Sequence, residues 1–174
     1  GTTDIAVLSL NGIVNKKSIK VAGDIFSDVI IRHVRARHGV LIGERMAETL
    51  KKEIGTASPR PEEISYVCSG RDLVTGLPRE VEVTSTEMME ALEEPLQQIC
   101  EATHSVLEKT PPELAADISS SGIVITGGGA LLYGIDERIK QRTGINVRIA
   151  ENPMDCVAIG TGKYVEFLAG RRDD

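Results

Sequence analysis

The run Thr126-Gly127-Gly128-Gly129-Ala130-Leu131-Leu132, placed directly after the apolar stretch Ile123-Val124-Ile125, constrains this chain more than any other feature. A short β-branched run of this kind reads as a buried strand. Glycines after it can take φ > 0 and let backbone N–H groups approach an anion, and a helix starting beyond them presents its positive end. Strand, glycines and helix in this order point to a bound phosphate, with a tight ligand-free turn as the alternative. The first residues echo the theme, since Gly1-Thr2-Thr3-Asp4 runs straight into Ile5-Ala6-Val7-Leu8-Ser9-Leu10. They read as a second glycine-threonine phosphate loop whose preceding strand lies outside this sequence, so the chain is expected to be a piece of a larger nucleotide-binding protein.

Composition sets broad limits. The chain has 174 residues, enough for one domain or two small ones, and a net charge of −6 that argues against nucleic acid as main partner. The dense basic cluster Arg32, Arg35 and Arg37, with His33 and His38, is expected to complement the negative end of a helix. Cys68, Cys100 and Cys156 lack zinc-like spacing and read as reduced thiols. No apolar run is long enough to cross a bilayer, and no charged-then-apolar leader opens the sequence.

The order of elements is α/β. Ile5 to Leu10 and Ile13 to Val21 read as strands joined by an Asn11-Gly12 hairpin. Asp24 is expected to cap a helix with Ile25, Val29 and Val34 inside and Gly39 as its stop, and Glu44 to Ile54 forms a second helix on the stripe Ala47, Leu50, Ile54. Ile64 to Ser69 and Arg79 to Val83 read as strands of a smaller layer. Thr84 with Glu87 makes a capping box for a long helix that Pro95 should kink or split. A short helical turn at Glu113 to Ile118 leads to the strand at 123–126. A helix to Arg142, a strand Ile145 to Ile149 and a last helix from about Asp155 to Leu168 complete the reading.

Three elements could meet at one nucleotide. The loop Gly1-Thr2-Thr3 offers backbone donors and two hydroxyls suited to phosphates, a magnesium-bound water or an attacking water, though a Thr-rich strand start needs no ligand. The Gly127–Gly129 loop offers amides. Glu48 and Lys51 share a helix face and could hold a ribose hydroxyl and an adenine or phosphate edge, yet Glu48 also pairs naturally with Lys52 at i,i+4, and from spacing alone that plain pairing is preferred. No nucleophile constellation stands out, and the GxxxxGK[ST] loop is absent.

The segments Gly1-Thr2-Thr3-Asp4-Ile5-Ala6-Val7, Val21-Ala22-Gly23-Asp24, Ile42-Gly43-Glu44-Arg45, Gly70-Arg71-Asp72-Leu73, Pro111-Pro112-Glu113-Leu114-Ala115 and Thr126-Gly127-Gly128-Gly129-Ala130-Leu131-Leu132, with Val157-Ala158-Ile159-Gly160-Thr161-Gly162 near the tail, together resemble the C-terminal half of the MreB/Mbl family of bacterial actin homologues. The triple glycine alone would fit any actin, sugar-kinase or heat-shock-chaperone relative. Gly-Arg-Asp-Leu followed by Pro-Pro-Glu-Leu-Ala narrows the resemblance to this family.

The resemblance implies an actin-like, ribonuclease-H-like α/β subdomain over 1–43 and 108–174, with a smaller inserted α+β subdomain over 44–107. It implies ATP or ADP with Mg2+ as ligand. Gly1 and Thr2 would belong to a phosphate loop, Glu48, Thr49, Leu50 and Lys51 would line the adenosine, and Gly127, Gly128, Gly129, Ala130 and Leu131 would wrap the nucleotide. Thr2 and Thr3 are candidates to position the attacking water. The intact protein is expected to be a cytoplasmic ATPase that polymerises head to tail beneath the cell membrane and guides cell-wall synthesis in rod-shaped cells. Its partners would be copies of itself, its own N-terminal half, the cell-wall elongation machinery and, through the absent half, a peripheral membrane contact. The family's first phosphate loop, catalytic glutamate and membrane-inserting segment have no counterpart here, so the chain alone is expected to be inactive. The rival is a monomeric chaperone-like or sugar-kinase-like ATPase, against which the polar ending Gly170-Arg171-Arg172-Asp173-Asp174 reads as a finished tail. A third reading is a purely structural module folded without nucleotide, which the Glu48–Lys52 pairing favours slightly.

Overall fold

The computed structural model describes residues 1–10, 12–150 and the backbone of 164–171. It opens with an antiparallel hairpin, β1 (Thr2–Ser9) and β2 (Gly12–Ile19). Along β1 the residues Thr3, Ile5 and Val7 are buried while those between them are half-buried, the period-2 alternation of a strand covered on one face. Gly12 sits at φ +107, a conformation that L side chains resist and that lets the chain reverse here.

Helix α1 (Gly23–His38) follows, then β3 (Val40–Leu41) and α2 (Glu44–Ile54). Two expectations for α1 need correction. Its flanking N-cap is Ala22 with no side-chain cap, and Asp24 lies inside the first turn, where its carboxylate still meets the positive helix end. The buried face is Phe26, Ile30 and Val34, at i,i+4 spacing, with Ile25 and Val29 only bordering the core. The stop at Gly39 and the basic last turn, with Arg35, Arg37 and His38, are as expected. In α2 the stripe Ala47, Leu50 and Ile54 is buried, also as expected.

Strands β4 (Ser65–Asp72) and β5 (Pro78–Thr84) pair antiparallel, and β3 adds to β4, giving a three-stranded sheet in the order β3-β4-β5. Helix α3 (Ser85–Glu108) starts with both halves of the capping box: the Glu87 amide donates to the Thr84 hydroxyl at 3.2 Å, and the Thr84 amide donates to the Glu87 carboxylate at 3.0 Å. Pro95 lies within α3 without splitting it. Burial of Leu92, Leu96 and Ile99 on both sides offsets a proline cost of about 3 kcal/mol.

Helix α4 (Pro112–Ser121) is longer than the single turn read from the sequence, helped by proline at its first turn. Then come β6 (Ile123–Gly127), a 3-10 turn at Gly128–Leu131, α5 (Ile135–Thr143), β7 (Val147–Ile149) and β8 (Tyr164–Arg171). The helix expected directly after the glycines is therefore divided, with one 3-10 turn first and α5 starting only after Gly134. The last helix is corrected too, because 164–171 is a strand; its expected start near Asp155 and the Val157–Gly162 segment lie outside the described residues.

The larger sheet has the order β2-β1-β8-β6-β7. Strand β8 is antiparallel to β1 and parallel to β6, and β6 is parallel to β7. Helix α3 packs on β1, β2 and β5 as well as on α1 and α5, so one apolar cluster runs from Ile5 and Val7 through Ile30, Leu50 and Leu96 to Ile123 and Ile139.

Candidate functional site

The two glycine segments, 126 residues apart at Gly1 and Gly127, end up at one edge of the larger sheet. Thr3 pairs with Ala169 from one side of β8, and Gly127 pairs with Ala169 from the other. The start of β1 and the carboxyl end of β6 are thus separated by one strand, about 10 Å at ordinary strand spacing. This is the edge of an α/β sheet at which ligands sit.

Gly127 carries the geometry of the second loop. Its backbone is at φ +83 and ψ 179, a region essentially limited to glycine, and it turns the chain out of β6 into the 3-10 turn formed by Gly128, Gly129, Ala130 and Leu131. Ala130 is buried and anchors the turn, whereas Leu131 is exposed. The turn is too short to act as a helix N-terminus, so what it offers a ligand is the close approach of its own backbone. Just before it, the Thr126 hydroxyl is buried and has no hydrogen-bond partner among the described residues.

Helix α2 is brought to the same edge. Lys51 Nζ lies 2.6 Å from Glu48 Oε2 and donates to the Gly23 carbonyl at 3.4 Å, while Ser27 Oγ approaches Glu48 Oε2 at 3.4 Å. The pair therefore closes on the first turn of α1. That turn is tied to β1, since the Thr3 hydroxyl donates to the Val21 carbonyl. At its other end α2 meets the glycine turn: the Ala57 amide donates to the Tyr133 carbonyl at 2.8 Å, Ser58 Oγ donates to the Gly134 carbonyl at 2.9 Å, and the Arg60 guanidinium stacks 4.0 Å from the Tyr133 ring centroid. These contacts around Leu132–Gly134 also account for the interrupted helix.

Burial alone would raise the Glu48 pKa, but the hydrogen bond and charge of Lys51, followed by Lys52 and Ser27, outweigh it and hold the carboxyl below the usual glutamate range. Glu48 is thus an anion with a directed acceptor, and Lys52 at 3.8 Å is its weaker, exposed partner. The i,i+3 pairing with Lys51 dominates over the i,i+4 pairing read from spacing.

The predicted site residues divide by environment. Gly1, Thr2, Glu48, Lys51, Gly127, Gly128, Gly129 and Leu131 border the shared edge. Thr2 donates its hydroxyl to Asp4 at 3.1 Å. Thr3 is fully buried with its hydroxyl engaged, Leu50 is fully buried in the core, and the Thr49 hydroxyl donates back to the Arg45 carbonyl within its own helix. Ser27 and the Gly23 carbonyl contact Glu48 and Lys51, a meeting that the sequence does not signal because it arises only from the packing of α1 on α2.

The sequence model of the MreB/Mbl protein family matches residues 1–172. The chain belongs to this family. It is similar to the cell shape-determining protein Mbl of Bacillus subtilis (strain 168), 52% identical over 170 residues that make up 97% of this chain and 50% of the relative. It is also similar to the cell shape-determining protein MreB of Escherichia coli (strain K12), 49% identical over 168 residues, 97% of this chain and 48% of that protein. The chain thus spans about half the length of the curated relatives it matches. Among solved structures, MreB5 of Spiroplasma citri bound to ADP superposes with a TM-score of 0.88 at 40% identity, over 90% of this chain and 48% of that one. The same protein bound to AMPPNP gives 0.87. A MamK double helical filament gives 0.72 at 23% identity, over 89% of this chain and 48% of the MamK chain, which shows the shared actin-like fold alone.

Proposed function

We propose that the protein containing this chain is an actin-like cytoskeletal ATPase that assembles with ATP into membrane-associated filaments and sets rod cell shape by guiding cell-wall synthesis. The observation that carries this reading is the convergence of Gly1-Thr2, Gly127–Gly129 and the Glu48–Lys51 pair on one sheet edge. Family membership supports it, as do the AMPPNP and ADP bound by the Spiroplasma relative.

The residues fit a nucleotide. Gly127 turns the chain out of β6 at this edge in a conformation essentially limited to glycine, which allows the close backbone approach that a phosphate requires. In this reading the amides of Gly1 and Thr2 and those of Gly127, Gly128, Gly129, Ala130 and Leu131 hold the phosphates from two sides. Glu48 accepts from ribose hydroxyls, and Lys51 donates to the nucleoside. Thr49 and Leu50 complete the α2 turn, Leu50 by anchoring it in the core. Thr2 positions the attacking water and Thr3 fixes the loop to α1. Mg2+, when bound, supplies charge neutralisation on the phosphates.

The rest of the assignment rests on the family. Residues 1–43 and 108–174 form one subdomain of the ATPase fold and 44–107 the inserted one. The N-terminal half completes the cleft and carries the membrane contact at the inner face of the cell membrane, next to the cell-wall elongation machinery. ATP bridging the halves favours the closed form that polymerises. The test is ATP turnover by the intact protein and by this chain alone. Turnover is expected only in the intact protein; turnover by the isolated chain, or no nucleotide binding by the intact protein, would overturn the assignment.

A further inference from the structure

Two donors stand near Glu48 Oε2, and they are not equivalent. Lys51 Nζ lies 2.6 Å away, and Ser27 Oγ, on the neighbouring helix α1, lies 3.4 Å away. A fully made O–H···O bond is about 2.7–2.8 Å long, so the serine stands beside the carboxylate without holding it firmly. Its proton has a nearer acceptor, the Gly23 carbonyl at 3.1 Å, four residues back in α1. Lys51 also reaches that carbonyl, at 3.4 Å. The Gly23 carbonyl, Ser27, Glu48 and Lys51 thus close a small polar ring between α1 and α2, in which one hydroxyl proton has two acceptors to choose from.

A nucleotide changes the balance in this ring. When Glu48 accepts from ribose hydroxyls and Lys51 turns to the nucleoside, the carboxylate loses part of its hold on the ammonium just when its direction matters. Lys52 is a poor substitute, because it stands 3.8 Å from the other oxygen, Oε1, with its side chain 71% exposed. Ser27 is better placed. The residue is buried, and a hydroxyl changes acceptor by rotation about a single bond. Leaving the Gly23 carbonyl costs little, since a carbonyl inside a helix also accepts from a backbone amide. A Cβ at position 23 would stand 3.1 Å from Lys51 Nζ, so glycine there leaves the ammonium room to move.

We propose that Ser27 is a positioning residue of the nucleotide site: its hydroxyl turns from the Gly23 carbonyl to Glu48 Oε2 when Lys51 engages the nucleoside, and so keeps the carboxylate aimed at the ribose hydroxyls. This rests on the nucleotide reading above and adds to it a residue of α1 that touches no ligand. Because Ser27 acts through Glu48, its effect is confined to ligands that carry ribose hydroxyls.

The test is equilibrium titration of the intact protein with ATP and with 2′,3′-dideoxy-ATP, both with Mg2+, the second lacking both ribose hydroxyls. Wild type should bind ATP about tenfold more tightly than the dideoxy nucleotide, the size of effect expected for one hydrogen bond. Ser27→Ala should lose most of that preference through weaker ATP binding, with its affinity for dideoxy-ATP unchanged. Alanine is the better helix former, so this variant should fold; Ser27→Cys, which keeps the size and donates only weakly, replaces it if it does not. The Glu48→Ala protein should show no preference, and adding Ser27→Ala to it should change neither affinity. Equal weakening of both nucleotides by Ser27→Ala marks a merely structural serine and overturns the proposal, as does an undiminished preference for ATP or a further loss in the Glu48→Ala background. Wild-type protein that binds both nucleotides alike overturns the ribose role of Glu48 and this proposal with it, while the phosphate loops stand. Binding of neither overturns the nucleotide reading itself.

Discussion

Thr3 and Gly127 pair with the same residue, Ala169, from opposite sides of β8. Two glycine loops far apart in sequence thereby face one another across a single strand. In the nucleotide reading proposed above, this register lets donors from both loops reach one phosphate chain across about 10 Å.

Replacing Gly127 by alanine should damage both fold and ligand binding. At φ +83 and ψ 179 a Cβ is strained, so Gly127→Ala is expected to cost about 1–3 kcal/mol. Denaturant unfolding measures the stability loss, and titration of the intact protein with a fluorescent ATP analogue should show weaker binding. Unchanged stability would mean that the turn has another way to leave β6.

Glu48 and Lys51 separate the ligand reading from the plain ion-pair reading. The Glu48–Lys51 pair is partly buried and bonds to the first turn of α1, so Glu48→Ala and Lys51→Met should each cost about 1 kcal/mol of stability, read from the thermal midpoint without ligand. If the pair holds the nucleoside, affinity should fall by about tenfold, equivalent to ~1.4 kcal/mol. Unchanged ATP binding in the Glu48→Ala protein would reduce the pair to a local helix feature.

Glu87 ties α3 to α1 and sets an acid limit on stability. Burial pushes its pKa up, but the Thr84 amide, His38 at 2.6 Å and His33 at 3.3 Å outweigh it, leaving the carboxyl below its ordinary value of 4.5. Stability from this group is therefore complete above about pH 4.5 and is lost as pH falls through the lower folded value. Glu87→Gln should destabilise the protein by about 1–3 kcal/mol at neutral pH. It should also flatten the acid side of the stability profile measured by urea unfolding at a series of pH values.

Cys68 and Cys100 should react slowly. Burial raises both thiol pKa values, and neither side chain is more than 1% exposed. In a Cys156→Ser background, labelling by a thiol-specific disulfide reagent at pH 8 should proceed only at the rate of unfolding, and immediate labelling would contradict the burial.

Much of this architecture was legible because local signals agreed with tertiary packing. The Asn-Gly hairpin, the Ala47–Leu50–Ile54 stripe and the Thr84–Glu87 capping box are cases in which short-range chemistry and long-range burial favour the same conformation. The errors fall where distant contacts decide. The helix after the glycines breaks at Leu132–Gly134 because 57–58 bonds to that backbone, and 164–171 pairs as a strand between β1 and β6, partners more than 35 residues away. On α1 the sequence reading chose Ile25 and Val29 beside Val34, whereas packing buries Phe26 and Ile30 with Val34. In the site, the glycine loops were visible as motifs, whereas the reach of Lys51 to the Gly23 carbonyl arises from the way α2 packs on α1.

The most direct test of the account is high-speed pelleting of the protein with its N-terminal half present, with and without Mg-ATP. Pelleting that requires ATP is the predicted result, with the two glycine loops closing on one nucleotide and the closed form assembling. A protein that binds ATP yet stays a soluble monomer at every concentration would contradict it and leave an actin-like nucleotide fold without a cytoskeletal role.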